Sequence, residues 1–153
     1  ALVPHIADSD FSNNALSTAF TIPTATELKG VRVDPTGVLP ASLATGASAT
    51  MFHNIKNYGD GISTAFVDRV YLSTDAVLDA VVDREIGFST IPAGLLSGGG
   101  AGATISTIVT IPVDVVLGNY YVIVSADSDE DVVEFDETNN VAVSDVLISI
   151  TAP

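Results

Sequence analysis

The sequence predicts an all-β protein built as a two-sheet sandwich, and three observations carry that expectation. Val, Ile, Thr, Ala, Ser and Gly dominate, while the long helix formers Glu, Lys, Gln and Arg are scarce. Apolar residues recur with period two between clusters of Gly, Pro, Asn and Asp, the pattern of short antiparallel strands with one buried face. About seven such segments follow one another at turn intervals, which favours a sandwich over a closed barrel. No segment carries a convincing helical face.

With 153 residues the chain can bury the core of one ordinary domain but not of two. Hydrophobic residues make up 47% and charged residues 16%, a balance that excludes a disordered chain. No apolar run approaches the ~18 residues of a membrane-spanning helix, so membrane insertion is not expected. The first residue is Ala1, which is expected of a mature chain whose export signal has been removed, or of a fragment. Cysteine is absent, so neither disulfides nor thiolate metal sites are available. Five Lys and Arg face nineteen Asp and Glu, and the net charge of −14 repels nucleic acid and anionic membranes. Cations and cationic surfaces are the partners this charge favours.

Taken in order, the opening segment has a strand candidate with Leu16, Thr18, Phe20 and Ile22 on one side, closed by Pro23. The main body begins near Leu28, with Val31 and Val33 facing in and Asp34-Pro35-Thr36-Gly37 as a turn. From Ala49, Met51, His53 and Ile55 alternate with Thr50, Phe52, Asn54 and Lys56, and Asn57-Tyr58-Gly59-Asp60-Gly61 turns the chain. A strong strand runs from Ala65 to Ser73 and enters an acidic connection, Thr74 to Arg84. Ile86 to Ile91 forms the next strand. After the loop from Ser97 to Gly102, Ile105, Thr107, Val109 and Ile111 alternate until Pro112. Leu117 to Tyr121 opens a further strand, and the last buries Ala142, Val146, Ile148 and Ile150.

Between those last two strands lie seven carboxylates from Asp127 to Glu137. Asp127, Asp129 and Asp131 have the alternate spacing that can direct oxygens at one hard cation, which makes them the candidate calcium site. An EF-hand is excluded, because Val132 stands where Gly is required and Thr138 where a bidentate Glu is required. The competing reading is a solvated hairpin loop whose Asp and Asn side chains cap turn amides, with Asn139 and Asn140 bonding backbone where the last strand begins. Asp75, Asp79 and Asp83 form a second acidic spacing, and a cation shared between the two loops is a further option. His53 is expected to be a hydrogen-bonded core imidazole, and two isolated histidines give no zinc spacing. No Gly-x-Ser-x-Gly and no phosphate-loop ending occur. Tyr120 or Tyr121 has the place of a tyrosine corner, a structural role.

From about Leu28 to Ile150 the chain resembles the CARDB domain, a bacterial and archaeal extracellular module named for a link to cell adhesion. The residues that carry the resemblance are Asn57-Tyr58-Gly59, Tyr71-Leu72-Ser73-Thr74-Asp75, Leu96-Ser97-Gly98 before Val109-Thr110-Ile111-Pro112, and Gly118-Asn119-Tyr120 leading to Ala126-Asp127. Glu134-Phe135-Asp136-Glu137 with Asn139-Asn140 completes the set. The resemblance implies an immunoglobulin-like or fibronectin-III-like antiparallel sandwich without catalytic residues. The domain is expected to span residues 27–153, which leaves residues 1–26 as an extension with an extra strand. That extension echoes the end of the domain: Asp10-Phe11-Ser12-Asn13-Asn14 aligns with Asp136-Glu137-Thr138-Asn139-Asn140. In the same register Leu16, Thr18, Phe20 and Ile22 fall on Ala142, Ser144, Val146 and Ile148.

The expected function is therefore that of a non-enzymatic extracellular or cell-surface structural protein, joining head-to-tail to copies of itself through its N-terminal strand. No cofactor is required and calcium is the candidate ion. The alternatives are a repeat of a large calcium-dependent surface adhesin, a ligand-binding module attached to a secreted enzyme, and a calcium-dependent carbohydrate binder.

Overall fold

The computed structural model describes residues 28–33, 39–59, 61, 63–97 and 99–153. Leu16, Thr18, Phe20 and Ile22 lie outside the described residues, as does the turn at Asp34 to Gly37, and for 28–33 only the backbone is described. Nine strands are present among the described residues: β1 (Leu28–Val33), β2 (Ser42–Ala44), β3 (Ser48–Asn57), β4 (Phe66–Ser73), β5 (Arg84–Ile91), β6 (Ala101–Thr110), β7 (Gly118–Ser125), β8 (Val141–Val143) and β9 (Ile148–Thr151). One sheet has the order β1-β3-β6, and the other, of six strands, runs β2-β9-β7-β4-β5 with β8 also on β7. This is the two-sheet sandwich that the period-two pattern predicts, with the immunoglobulin-like architecture that the resemblance implies.

The structure differs from the expected pattern in two places. The pairing of β2 with β9 is parallel, with Leu43 opposite Ile150, whereas every other pairing is antiparallel. β2 is a short edge strand, and directly after it the chain crosses to the other sheet at Gly46, whose φ of +81° suits glycine. The closing strand is split, which raises the strand count and leaves Val146 58% exposed rather than buried. Ser144 causes the break. Its hydroxyl accepts from the Val122 amide (2.9 Å) and donates to the Val146 carbonyl (2.9 Å), so the chain bulges until Ile148 resumes pairing opposite Tyr120.

The alternation read from the sequence places the core. β3 turns Met51, His53, Ile55 and Asn57 inward, and β6 turns Ile105, Thr107 and Val109 inward. Opposite them stand Phe66, Val70 and Leu72 of β4 and Val122 and Val124 of β7. Each apolar side chain among them contributes about 1.5–3 kcal/mol by leaving water. Two apolar clusters result, one around Met51, Leu72, Val109 and Ile148, the other around Ile55, Phe66, Leu96 and Val132.

His53 of β3 meets Asp68 of β4 across the sandwich, Nε2 to Oδ2 at 2.8 Å, and both side chains are fully buried. The turn after β3 is held by Asn57, whose Nδ2 donates to the carbonyl of Gly61 (2.8 Å) and whose Oδ1 accepts from the Gly59 amide (3.1 Å). Tyr120 donates its hydroxyl to the Val116 carbonyl at 2.8 Å while its ring packs on the core, the expected tyrosine corner. β5 and β6 approach so closely that a Cβ on Gly87 would lie 2.6 Å from the carbonyl oxygen of Ile108.

Burial raises the Asp68 carboxyl above its ordinary 3.8, and the bond and charge of His53 and the Asp127 amide only partly oppose that rise. A folded-state pKa above the unfolded one gives a stabilising contribution that is complete below pH 3.8 and is lost as pH rises through the folded value. In urea unfolding across this range, the parent chain is expected to lose stability relative to Asp68→Asn as pH rises. Asp68→Ala, which leaves the buried imidazole unpaired, is expected to cost about 3 kcal/mol at neutral pH.

Candidate functional site

The antiparallel registers put the described residues of the connections 58–65, 92–100 and 126–140 at one pole and 45–47, 74–83 and 111–117 at the other. The first pole carries the acidic loop. Its ends are joined where the Ala126 amide donates to the Asn140 carbonyl at 2.9 Å. Asp127 follows with φ of 46°, a left-handed conformation costly for a side chain with Cβ. Three sets of bonds hold it there. Its amide donates to Asp68 Oδ1 (3.3 Å), and its carboxylate oxygens accept from the amides of Asp131 and Val132, each at 2.9 Å. Val132 then enters the apolar cluster beneath the loop.

The sequence-predicted trio is thereby divided. Asp127 is buried and faces the loop interior, while Asp129 points outward to Arg69, at 3.0 and 3.1 Å. Arg69 also donates to Glu85 at 3.0 Å. Asp131 is exposed, and its carbonyl accepts from the hydroxyl of Thr64 at 3.2 Å. Left-handed turns at Asp127 and Glu130 send the alternating side chains in different directions instead of around a common point. The group that does converge among the described residues is Asp127, Glu134 and Glu137, with one oxygen from each within 4.8 Å of the others. Alternate spacing could not have found it, because Glu134 and Glu137 return to Asp127 only through the loop's closure.

Within this group Glu137 Oε1 accepts from the Glu134 amide (2.8 Å) and Glu134 Oε1 from Asn140 Nδ2 (3.0 Å). Asn140 is buried and holds the Glu134 side chain with its amide nitrogen, so its bond is to a carboxylate rather than to the backbone expected from sequence. Asn139 lies partly buried beside it. Burial pushes the Asp127 carboxyl above its ordinary range; the two amide bonds lower it, and the charges of Asp131 and Glu137 raise it further.

The second acidic spacing caps turns. Asp75 accepts from the Val77 amide (2.9 Å), Asp79 from the Val81 amide (3.0 Å), and Asp83 from the Asp79 amide (2.8 Å). Arg84 beside them pairs with Asp114 at 2.8 Å and lines a shallow cleft of about 250 Å³ with Leu72, Val82 and Tyr120. A cation shared by the two acidic loops is excluded by the fold, since they stand at opposite ends of β4, roughly 20 Å apart at strand rise. His53 and Asp68 have the bond of a hydrolytic dyad, yet both are 0% exposed and no substrate reaches them.

The chain is thus an immunoglobulin-like sandwich with a buried His–Asp pair and a folded acidic loop at one pole. The CARDB family model matches residues 31–144, and the chain belongs to the CARDB family, a non-catalytic domain family. A CARDB domain of Pyrococcus furiosus, solved in complex with di-metal ions, is similar over 87% of this chain and 100% of its own, at TM-score 0.56 and 20% identity. A domain of a Methanosarcina acetivorans protein assigned to the cell surface is similar over 83% of this chain and 93% of its own, at TM-score 0.55 and 20% identity. A β-glucosidase of Listeria innocua, solved with glucose, matches 83% of this chain at TM-score 0.50 and 20% identity, but over only 16% of the enzyme. At these identities the likeness is one of fold. No curated protein sequence matches the chain.

The two neighbouring aspartates are expected to respond very differently to substitution. Asp127→Ala removes a buried carboxylate from two amides and should cost about 2–3 kcal/mol. Asp129→Ala breaks an exposed pair and should cost less than about 1 kcal/mol. Chemical denaturation of both variants measures the contrast.

Proposed function

We propose that the chain is a non-catalytic structural module of the cell surface or extracellular space, which joins copies of itself through residues 1–26 and takes up a divalent cation at its acidic pole. The observation that carries the assembly reading is the echo of the closing strand. Leu16, Thr18, Phe20 and Ile22 fall on Ala142, Ser144, Val146 and Ile148, of which Ala142, Ser144 and Ile148 are buried in the sandwich. In every copy that place on β7 is taken by β8 and β9, so a second strand of the same pattern has to add to an open sheet edge of a neighbour. Burial of Leu16, Phe20 and Ile22 there would contribute about 1.5–3 kcal/mol each before ordering costs are subtracted. A contact of this kind is heterologous and need not close, so it generates a filament.

Net charge of −14 opposes such packing, and a divalent ion that neutralises part of the acidic pole lowers that repulsion. The Pyrococcus domain solved with di-metal ions supports the cation reading, and the Methanosarcina protein supports the surface location. Calcium suits the pole best, because the donors are hard oxygens on a partly exposed loop. The second reading is an adhesin repeat or a module attached to a secreted enzyme. It is favoured by the β-glucosidase, in which the similar region is a small part of a longer chain.

Analytical ultracentrifugation and electron microscopy with calcium present test the assembly. The full chain should form polymers, and deletion of residues 1–26 should leave folded monomers. A deletion variant that still polymerises would refute the strand-exchange reading.

A further inference from the structure

We infer that Asp127, Glu134, Glu137 and the side-chain oxygen of Asn140 form one calcium site that clamps the start of the 126–140 loop to its end. The inference deepens the cation reading above and rests on it, with a ligand set that replaces Asp129 and Asp131. Its first support is the convergence of three carboxylates within 4.8 Å, a gathering of like charges that a cation relieves.

The second support is independent of the carboxylates. Asn140 is 6% exposed, and its Nδ2 bond to Glu134 at 3.0 Å sets the amide head against the cluster. Its Oδ1 is buried and accepts no hydrogen bond among the described residues. Buried acceptors are almost always satisfied, and an amide oxygen beside carboxylates is an ordinary calcium ligand. The oxygens of Asp127 each accept one amide and keep a lone pair for the ion. The donors are all oxygen, without imidazole or thiolate, and the exposed edge at Glu137 leaves room for water ligands. That chemistry selects calcium over zinc, and a flexible, mixed set selects it over magnesium.

Isothermal titration calorimetry of the full chain, stripped with EDTA and titrated with calcium chloride, tests the assignment. Thermal unfolding of each variant without metal checks that it is folded. Calcium should bind the parent chain and raise its unfolding midpoint. Glu137→Gln should weaken binding by about tenfold or more, Asn140→Ala should weaken it severalfold, and Asp129→Asn should leave it unchanged. Undiminished binding in Glu137→Gln would overturn this ligand set while leaving the cation reading intact. No heat and no midpoint shift in the parent chain with calcium or magnesium would overturn both.

Discussion

The hydrogen bond between His53 and Asp68 joins the two sheets at the point where the apolar core is divided. A polar pair enclosed by Ile, Val and Phe is tolerable only with partners, and here the partners come from three separate parts of the chain. His53 is on β3, Asp68 is on β4, and the Asp127 amide arrives from the end of β7. The position of Asp127 sets that of its carboxylate, which holds the amides of Asp131 and Val132, and Val132 seals the core below. Asp68 therefore touches both the opposite sheet and the start of the acidic loop, one through each carboxylate oxygen.

This arrangement changes what the acidic character of the chain means. Many carboxylates in the two loops are engaged in local work, capping amides at Asp75, Asp79 and Asp83 or pairing with Arg69 at Asp129. Such side chains order turns in a sequence rich in Gly, Ser and Asp. A small subset at Asp127, Glu134 and Glu137 is crowded rather than dispersed, and crowding of like charge is where an ion has most to offer. The pole that gathers them is remote from the cleft at Arg84 and Asp114, so the two ends of the sandwich present different chemistry.

Membership of the CARDB family gives the architecture a context and assigns no reaction. The fold recurs in a domain of a Pyrococcus furiosus protein, in a domain of a protein assigned to the cell surface, and as a small part of a β-glucosidase. A scaffold used in such different settings takes its role from what is attached to it and from the loops at its poles. In this chain residues 10–22 echo the closing strand in sequence, and the distinctive loop is 126–140.

Period-two alternation was sufficient to place β3 and β6 and their inward residues, because one-sided burial imprints that period directly, whereas β4 and β7 bury consecutive residues such as Val70 to Ser73 and Val122 to Val124. His53 in the core, the Asn57 turn and the Tyr120 corner were legible for the same reason: each depends on a residue type at a local position. The parallel pairing of β2 and the break at Ser144 were not, since both depend on which strand lies alongside. The ligand set was least legible. Spacing along the chain put Asp127 with Asp129 and Asp131, but two left-handed turns and the joining of Ala126 to Asn140 bring Glu134 and Glu137 to Asp127 instead. Sequence by itself determined the fold class and the acidic segment, which follow from local composition and period. Only the tertiary structure decided which acids meet, because convergence in space is set by loop closure and not by spacing.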